Sequence, residues 1–167
     1  MLLSNAKGNV SISEEERIMI DGVKVIPLRR HADDRGYLIE ILRNDDPYYM
    51  KFGQMYISYL RKGIIKAWHK HEKQTDHFYV VCGTSKIGLY DDRDGSPTKG
   101  AYQTVILGDA GNDALLAIPP LVWHGQMSLS DVTYMANLPT ETYDPKNPDE
   151  IRASVDAFDD IWTISNR

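Results

Sequence analysis

The stretch GIIKAWHKHEKQTDHFYVVCG, residues 63–83, holds three of the five histidines of the chain, His69, His71 and His77, together with the carboxylate of Asp76. It reads as two short extended runs, GIIKAWH and HFYVVC, joined by a polar turn and closed by Gly83, where a hairpin turn needs a residue free of Cβ. On a regular strand successive side chains point to opposite faces. His69 and His71 therefore share one face, and Lys66, Trp68 and Lys70 share the other. Imidazoles and a carboxylate at this spacing suit a metal cage, a proton-transfer site, or a buried hydrogen-bonded network without chemistry.

Working outward, the same pattern of short β-type runs continues on both sides. VKVIPL, GYLIEIL, GQMYISYL, SKIGLYDD, YQTVIL, DALLAIP, LVWHGQM and DVTYMAN join the two runs above to give ten candidate strands. Turn residues separate them, in the loop DDRDGSPTKG and in GDAGND among others. No long segment has a helical period, so the expectation is a single all-β domain over residues 1–167, a sandwich or barrel. Residues 1–20 read as a polar arm in which SEEERIMI could start a helix. Residues 144–167 read as a loop and a short helical turn, a C-terminal tail packing on the barrel.

Composition bounds the function. At 167 residues the chain can bury a core without staples. The net charge of −5, with basic residues scattered along the sequence, argues against nucleic acid as a partner. No apolar run is long enough to span a bilayer, and the N-terminus lacks the basic start and apolar stretch of a secretory signal, which predicts a cytoplasmic location. The one cysteine, Cys82, rules out an intrachain disulfide, and its apolar setting predicts a buried, inert thiol. A small anionic ligand stays compatible with the acidic average, because a few arginines and lysines suffice to hold a phosphate.

His-x-His, an acidic residue at position 76, Gly83, and a later histidine at 124 in IPPLVWH together resemble the two short motifs of the cupin superfamily, with Asp76 where glutamate is usual and Leu121 where glycine is usual. The resemblance implies a jelly-roll β-barrel whose interior receives these side chains. One reading of the set His69, His71, Asp76 and His124 is then a site for one divalent transition metal, such as Fe, Mn, Ni or Zn. The other is a polar barrel interior satisfied by its own hydrogen bonds and by water.

A second resemblance is spread along the chain. DDRGYLIEIL is similar to an Asp-x-Arg-Gly-aromatic-x-x-Glu strand, FGQMYISYLRKGIIKAWH to a Gln-bearing strand that runs into Arg-Gly-Leu-His, and LYDDRDGSPTKG to an Asp-x-Arg-x-x-Ser-Pro-Thr-x-Gly loop. AIPPLVWHGQ, a strand with Tyr134, and YDP follow in the same order. The chain is identified on these residues as resembling the dTDP-4-dehydrorhamnose 3,5-epimerase family, over residues 33–162. The resemblance implies an isomerase without a cofactor that removes a proton beside the 4-keto group of a nucleoside-diphosphate 4-keto-6-deoxyhexose. It implies His69 as base, an orienting carboxylate at Asp156, with Asp159 and Asp160 as alternatives, and Tyr134 as proton donor. It further implies Arg35, Glu40 and Gln54 as nucleotide contacts, Lys66 in place of an arginine, and His124 in the substrate site. Asp76 falls where the family has a lysine, which leaves Lys73 as the substitute. The resemblance also implies a homodimer. A keto-isomerase, a metal-dependent cupin isomerase or dioxygenase, and a non-catalytic sugar-binding cupin remain open as alternatives.

Overall fold

The structure, a computed structural model, describes residues 19–164. Twelve strands form two five-stranded antiparallel sheets and one separate hairpin. The first sheet has the order β1 (Lys24–Pro27), β9 (Ala114–Ile118), β6 (Asp76–Cys82), β11 (Val132–Asn137), β4 (Tyr56–Arg61). The second has the order β12 (Ile151–Arg152), β5 (Ile65–Lys70), β10 (Val122–Ser128), β7 (Thr84–Asp91), β8 (Tyr102–Gly108). The hairpin is β2 (Arg30–Asp33) with β3 (Gly36–Ile39), and it pairs with neither sheet. All ten strands expected from the sequence are present, in the jelly-roll sandwich that the cupin motifs imply; β2 and β12 are additional.

Alternation along the strands sorts the apolar side chains into two clusters. Phe78, Val80, Ile87, Leu89, Leu107, Leu116 and Met135 meet between the sheets. Trp68, Trp123 and Met127 point away from that interface, and Trp162, with Phe158 and Ile161 of the tail, covers them. All seven residues of β10 are buried because its inner face meets the core and its outer face meets the tail. Gly88 leaves the room for this cover: a Cβ there would lie 2.6 Å from atoms of both Ile161 and Trp162.

The tail differs from expectation. No helix forms between residues 144 and 164. Instead β12 takes the edge of β5, with Ile151 opposite Lys70 and Arg152 opposite His69, and Ala153 exchanges backbone hydrogen bonds of 3.0 and 3.1 Å with Trp68. The physical reason is the open edge of β5, whose unpaired amides are better satisfied by a strand than left exposed beside a helix. Cys82 is also a correction: it is exposed, at the point where β6 leaves the sandwich. The helix start proposed within residues 13–20 and the arm over residues 1–20 lie, but for residues 19 and 20, outside the described residues.

The loop motif is structural. Oδ1 of the buried Asp91 accepts from the Arg93 backbone amide and Nε, and its Oδ2 accepts from Arg93 Nη2, Ser96 Oγ and Thr98 Oγ1, at 2.6–3.1 Å. The carboxylate thus ties the Asp-x-Arg-x-x-Ser-x-Thr turn to the end of β7. Arg93 and the two hydroxyls hold its pKa well below the ordinary aspartate value, against the effect of burial.

Candidate active site

A cavity of about 660 Å³ opens between the sheets, and both contribute walls. Lys66, His69 and Gln126 line it from the second sheet, and Tyr56, Ser58 and Met135 from the first. The tail closes it with Tyr143, Asp149, Glu150 and Arg152.

Strict alternation assigns Lys66 to the face opposite His69, yet both line the cavity. The cause is a bulge. His124 pairs with His69 and Gln126 with Lys66, so two steps on β10 match three on β5 and the side-chain phase reverses. The strands come so close there that a Cβ on Gly125 would lie 2.3 Å from the Cβ of Ala67 and 2.9 Å from the Lys66 carbonyl oxygen. Gly125 therefore permits the bulge, and the bulge brings Lys66 onto the cavity wall that His69 lines.

Three imidazoles and one carboxylate converge at the inner end. The donor atoms of His69, His71, Asp76 and His124 all lie within 4.8 Å of one another. The Asp76 Oδ2 is 2.9 Å from Nε2 of His124 and 3.3 Å from Nε2 of His71. Its Oδ1 accepts hydrogen bonds of 2.7 Å from Gln74 Nε2 and from Asn137 Nδ2. The Nδ1–H of His124 donates to the Val122 carbonyl at 2.9 Å, and that of His71 donates to the Asp149 carbonyl. Asp149 organises the turn as well, since its carboxylate accepts the backbone amides of Glu72, Lys73 and Gln74. Burial disfavours the Asp76 anion, but the adjoining His124 and His71 rings outweigh it and hold the pKa well below the aspartate value. For His71 the balance runs the same way: burial lowers and Asp76 raises, with a net rise. His69 goes the other way. Burial first, then the neighbouring His124, push its ring well below the usual imidazole value.

Several residues expected at the site are elsewhere. Tyr134 is on the outer face of the first sheet, half exposed and edge-to-face with Tyr59, because β11 turns Met135 and Asn137 inward and leaves its neighbour outside. Asp156 is exposed, accepts from Ser154 Oγ, and borders a separate shallow cleft with Phe158 and Trp162. Asp159 and Asp160 are exposed tail residues too, and Asp160 caps the Trp162 and Thr163 amides. Lys73 is in the turn, outside the cavity lining. Arg35 is in the two-residue turn of the β2–β3 hairpin and pairs with Asp33, while Glu40 pairs with Arg43 at 2.9 Å. Gln54 does line the cavity, its Oε1 accepting the Tyr143 amide at 3.2 Å.

Four contributors went unnoticed in the sequence. Gln126 carried a signal, being two residues from His124 on one strand. Asn137, Gln74 and Asp149 carried none, since their contacts join segments about 60 to 80 residues apart or lie inside a turn.

A jelly roll with a histidine-lined cavity between its sheets defines a cupin-type sugar-isomerase architecture. The model of the dTDP-4-dehydrorhamnose 3,5-epimerase family matches residues 17–167, and the chain belongs to that family. It is similar to the probable low-salt glycan biosynthesis epimerase Agl13 of Haloferax volcanii, at 39% identity over 140 residues, 82% of this chain and 89% of that one. It is also similar to the spore coat polysaccharide biosynthesis protein SpsL of Bacillus subtilis, at 42% identity over 135 residues, 80% of this chain and 89% of that one. Among solved structures, the dTDP sugar isomerase of Desulfovibrio desulfuricans G20 superposes with a TM-score of 0.78 at 34% identity, covering 83% of this chain and 87% of that one. The epimerase reading of the sequence is the one these relatives favour over a metal-dependent dioxygenase or a binding module.

Proposed function

We propose that the chain epimerises a nucleoside-diphosphate 4-keto-6-deoxyhexose by removing a proton from a carbon beside the ketone, with His69 as the base. One observation carries this reading. His71 and His124 are each committed to a backbone carbonyl and to Asp76, whereas the His69 ring makes no side-chain hydrogen bond among the described residues and borders the cavity. A neutral ring in that position can accept the proton. The electron pair of the broken C–H bond moves onto the ketone oxygen to give an enolate, and Lys66, on the same wall, supplies positive charge to it.

Reprotonation from the opposite face needs an acid there, and Tyr56 replaces Tyr134 in that role. Its hydroxyl accepts from Asn137 Nδ2 at 2.8 Å, which leaves its own O–H free to donate into the cavity. Burial, and then the charge of Asp76, raise its pKa, so the phenol stays protonated. The turnover leaves an imidazolium and a phenolate, which exchange with solvent through the cavity mouth. Arg152 and Gln54, at the outer end, suit the nucleotide portion. A homodimer is part of the same proposal: the exposed β2–β3 hairpin, with Tyr37 and Leu38 outward, would carry Arg35 and Glu40 to a second copy.

The test is solvent deuterium incorporation into a dTDP-4-keto-6-deoxyhexose. His69→Asn should lower exchange at the carbon beside the ketone by about 100-fold or more. Exchange at the wild-type rate in that variant would refute the base assignment.

A further inference from the structure

Several polar groups on the cavity wall are engaged within the protein. Gln54 accepts the Tyr143 amide, Tyr56 accepts from Asn137, the Asp149 carboxylate caps the turn before β6, and Arg152 pairs with Glu150. Gln126 differs from them. It is 4% exposed, its Oε1 is fully buried, and that oxygen has no hydrogen-bond partner among the described residues. An amide oxygen left in this way costs free energy that an apolar side chain of the same size would not. The strand fixes where the amide sits. Trp123 and Met127 turn toward the tail, so His124 and Gln126 turn inward, and Gln126 reaches the cavity wall. Its register partner on β5 is Lys66, brought to the same wall by the bulge. Side chains directly opposite on neighbouring strands are about 5 Å apart at Cβ. Lys66 and Gln126 are therefore adjacent, one rich in donors and the other lacking one, yet Lys66 does not satisfy the amide.

We propose that Gln126 determines specificity by accepting a hydrogen bond from the 3-hydroxyl of the sugar. The inference rests on the epimerase reading, in which Lys66 faces the ketone oxygen. Of the two carbons beside the ketone in a 4-keto-6-deoxyhexose, C3 carries a hydroxyl, whereas C5 carries the ring oxygen and the methyl group. The 3-hydroxyl is thus the one hydroxyl next to the ketone. Two adjacent groups on the protein then meet two adjacent oxygens on the ring: Lys66 takes the ketone oxygen, and its neighbour Gln126 takes the hydroxyl. This contact selects as well as positions. A sugar with hydrogen at C3 would leave the amide oxygen unpaired in an occupied cavity, and a buried polar group rejects in this way a ligand that lacks its partner. The empty protein carries a destabilising group whose partner arrives with the substrate.

Affinity is measured by calorimetry on the full chain carrying His69→Asn, which should hold the sugar without turning it over, with a dTDP-4-keto-6-deoxyhexose and with its 3-deoxy counterpart. The 3-hydroxy sugar should bind about 10- to 100-fold more tightly. Adding Gln126→Leu should weaken the 3-hydroxy sugar by the same factor and bring the two sugars within about threefold of each other. In the otherwise wild-type chain, Gln126→Leu should melt at or above the wild-type temperature, because it removes an unpaired buried oxygen; Gln126→Met serves if the branched side chain does not fit. A glutamine with a merely structural role would lose stability on this change and would not distinguish the two sugars. Equal affinities in the chain that keeps Gln126, or discrimination that survives in folded Gln126→Leu or Gln126→Met, overturns the inference and leaves the epimerase reading standing. Binding of neither sugar overturns the epimerase reading and the inference with it.

Discussion

Tyr56 and Asn137 are register partners on neighbouring strands, and the Asn137 amide joins the Tyr56 hydroxyl at 2.8 Å to the Asp76 carboxylate at 2.7 Å. The phenol is thereby held against the buried polar cluster on the cavity wall. On the proposed mechanism, Tyr56→Phe should lower epimerised product about 100-fold while solvent exchange at the carbon that loses its proton to His69 persists, because deprotonation does not use the phenol. Tyr134→Phe, on the outer face, should leave both within about twofold, as expected for a surface change. Proton NMR of the product in deuterated buffer measures the two rates together. Equal losses in the two variants would remove Tyr56 from the mechanism.

Asp91 gives a prediction on pH. Its folded pKa is depressed by Arg93, Ser96 and Thr98, so the stability it contributes is complete above its unfolded value, about pH 4, and is lost as pH falls toward the folded value. Denaturant melts of the wild type should therefore weaken below that pH. Asp91→Asn should cost about 3 kcal/mol at neutral pH, the scale for breaking a buried ion pair, and should flatten the acid limb.

Gly125→Ala tests the bulge. The added methyl group would press on Ala67 and on the Lys66 carbonyl, a backbone atom that cannot rotate away. The expected cost is about 1–3 kcal/mol in thermal unfolding, accompanied by a fall in turnover as Lys66 and His69 shift. A variant with wild-type stability and rate would show that the strands can separate there freely.

Leu121 has a φ of 66°, in the left-handed region that favours glycine, and its amide donates to the His71 carbonyl at 2.7 Å. Leu121→Gly should raise stability by about 0.5–1 kcal/mol, the strain relieved less the entropy cost of glycine. Leu121→Val should lower it, since a β-branched residue tolerates this conformation less well. Thermal melts of the two variants give the signs.

The strands were legible because each is a short apolar run bounded by turn residues, and the polar cluster was legible because His-x-His and a later histidine have to share a sheet face. Lys66 was misplaced by the rule that found the histidines: alternation assumes an unbroken strand, and the bulge opposite Gly125 is visible only once β5 and β10 are paired. Tyr134 and Tyr56 show the same limit, because nothing local states which of two tyrosines on adjacent strands faces inward. The end of the chain was misread for another reason. Ile151 and Arg152 have no strand-like pattern of their own and become a strand only because β5 offers an edge.

Asp76 belongs to one sheet and His124 to the other, so their contact is a rivet through the sandwich. The distance across the cavity between the wall that carries His69 and the wall that carries Tyr56 is consequently set by how far apart the two layers sit. Substitutions in the apolar interior between the layers, remote from any substrate atom, should thus tune turnover as directly as changes in the cavity wall.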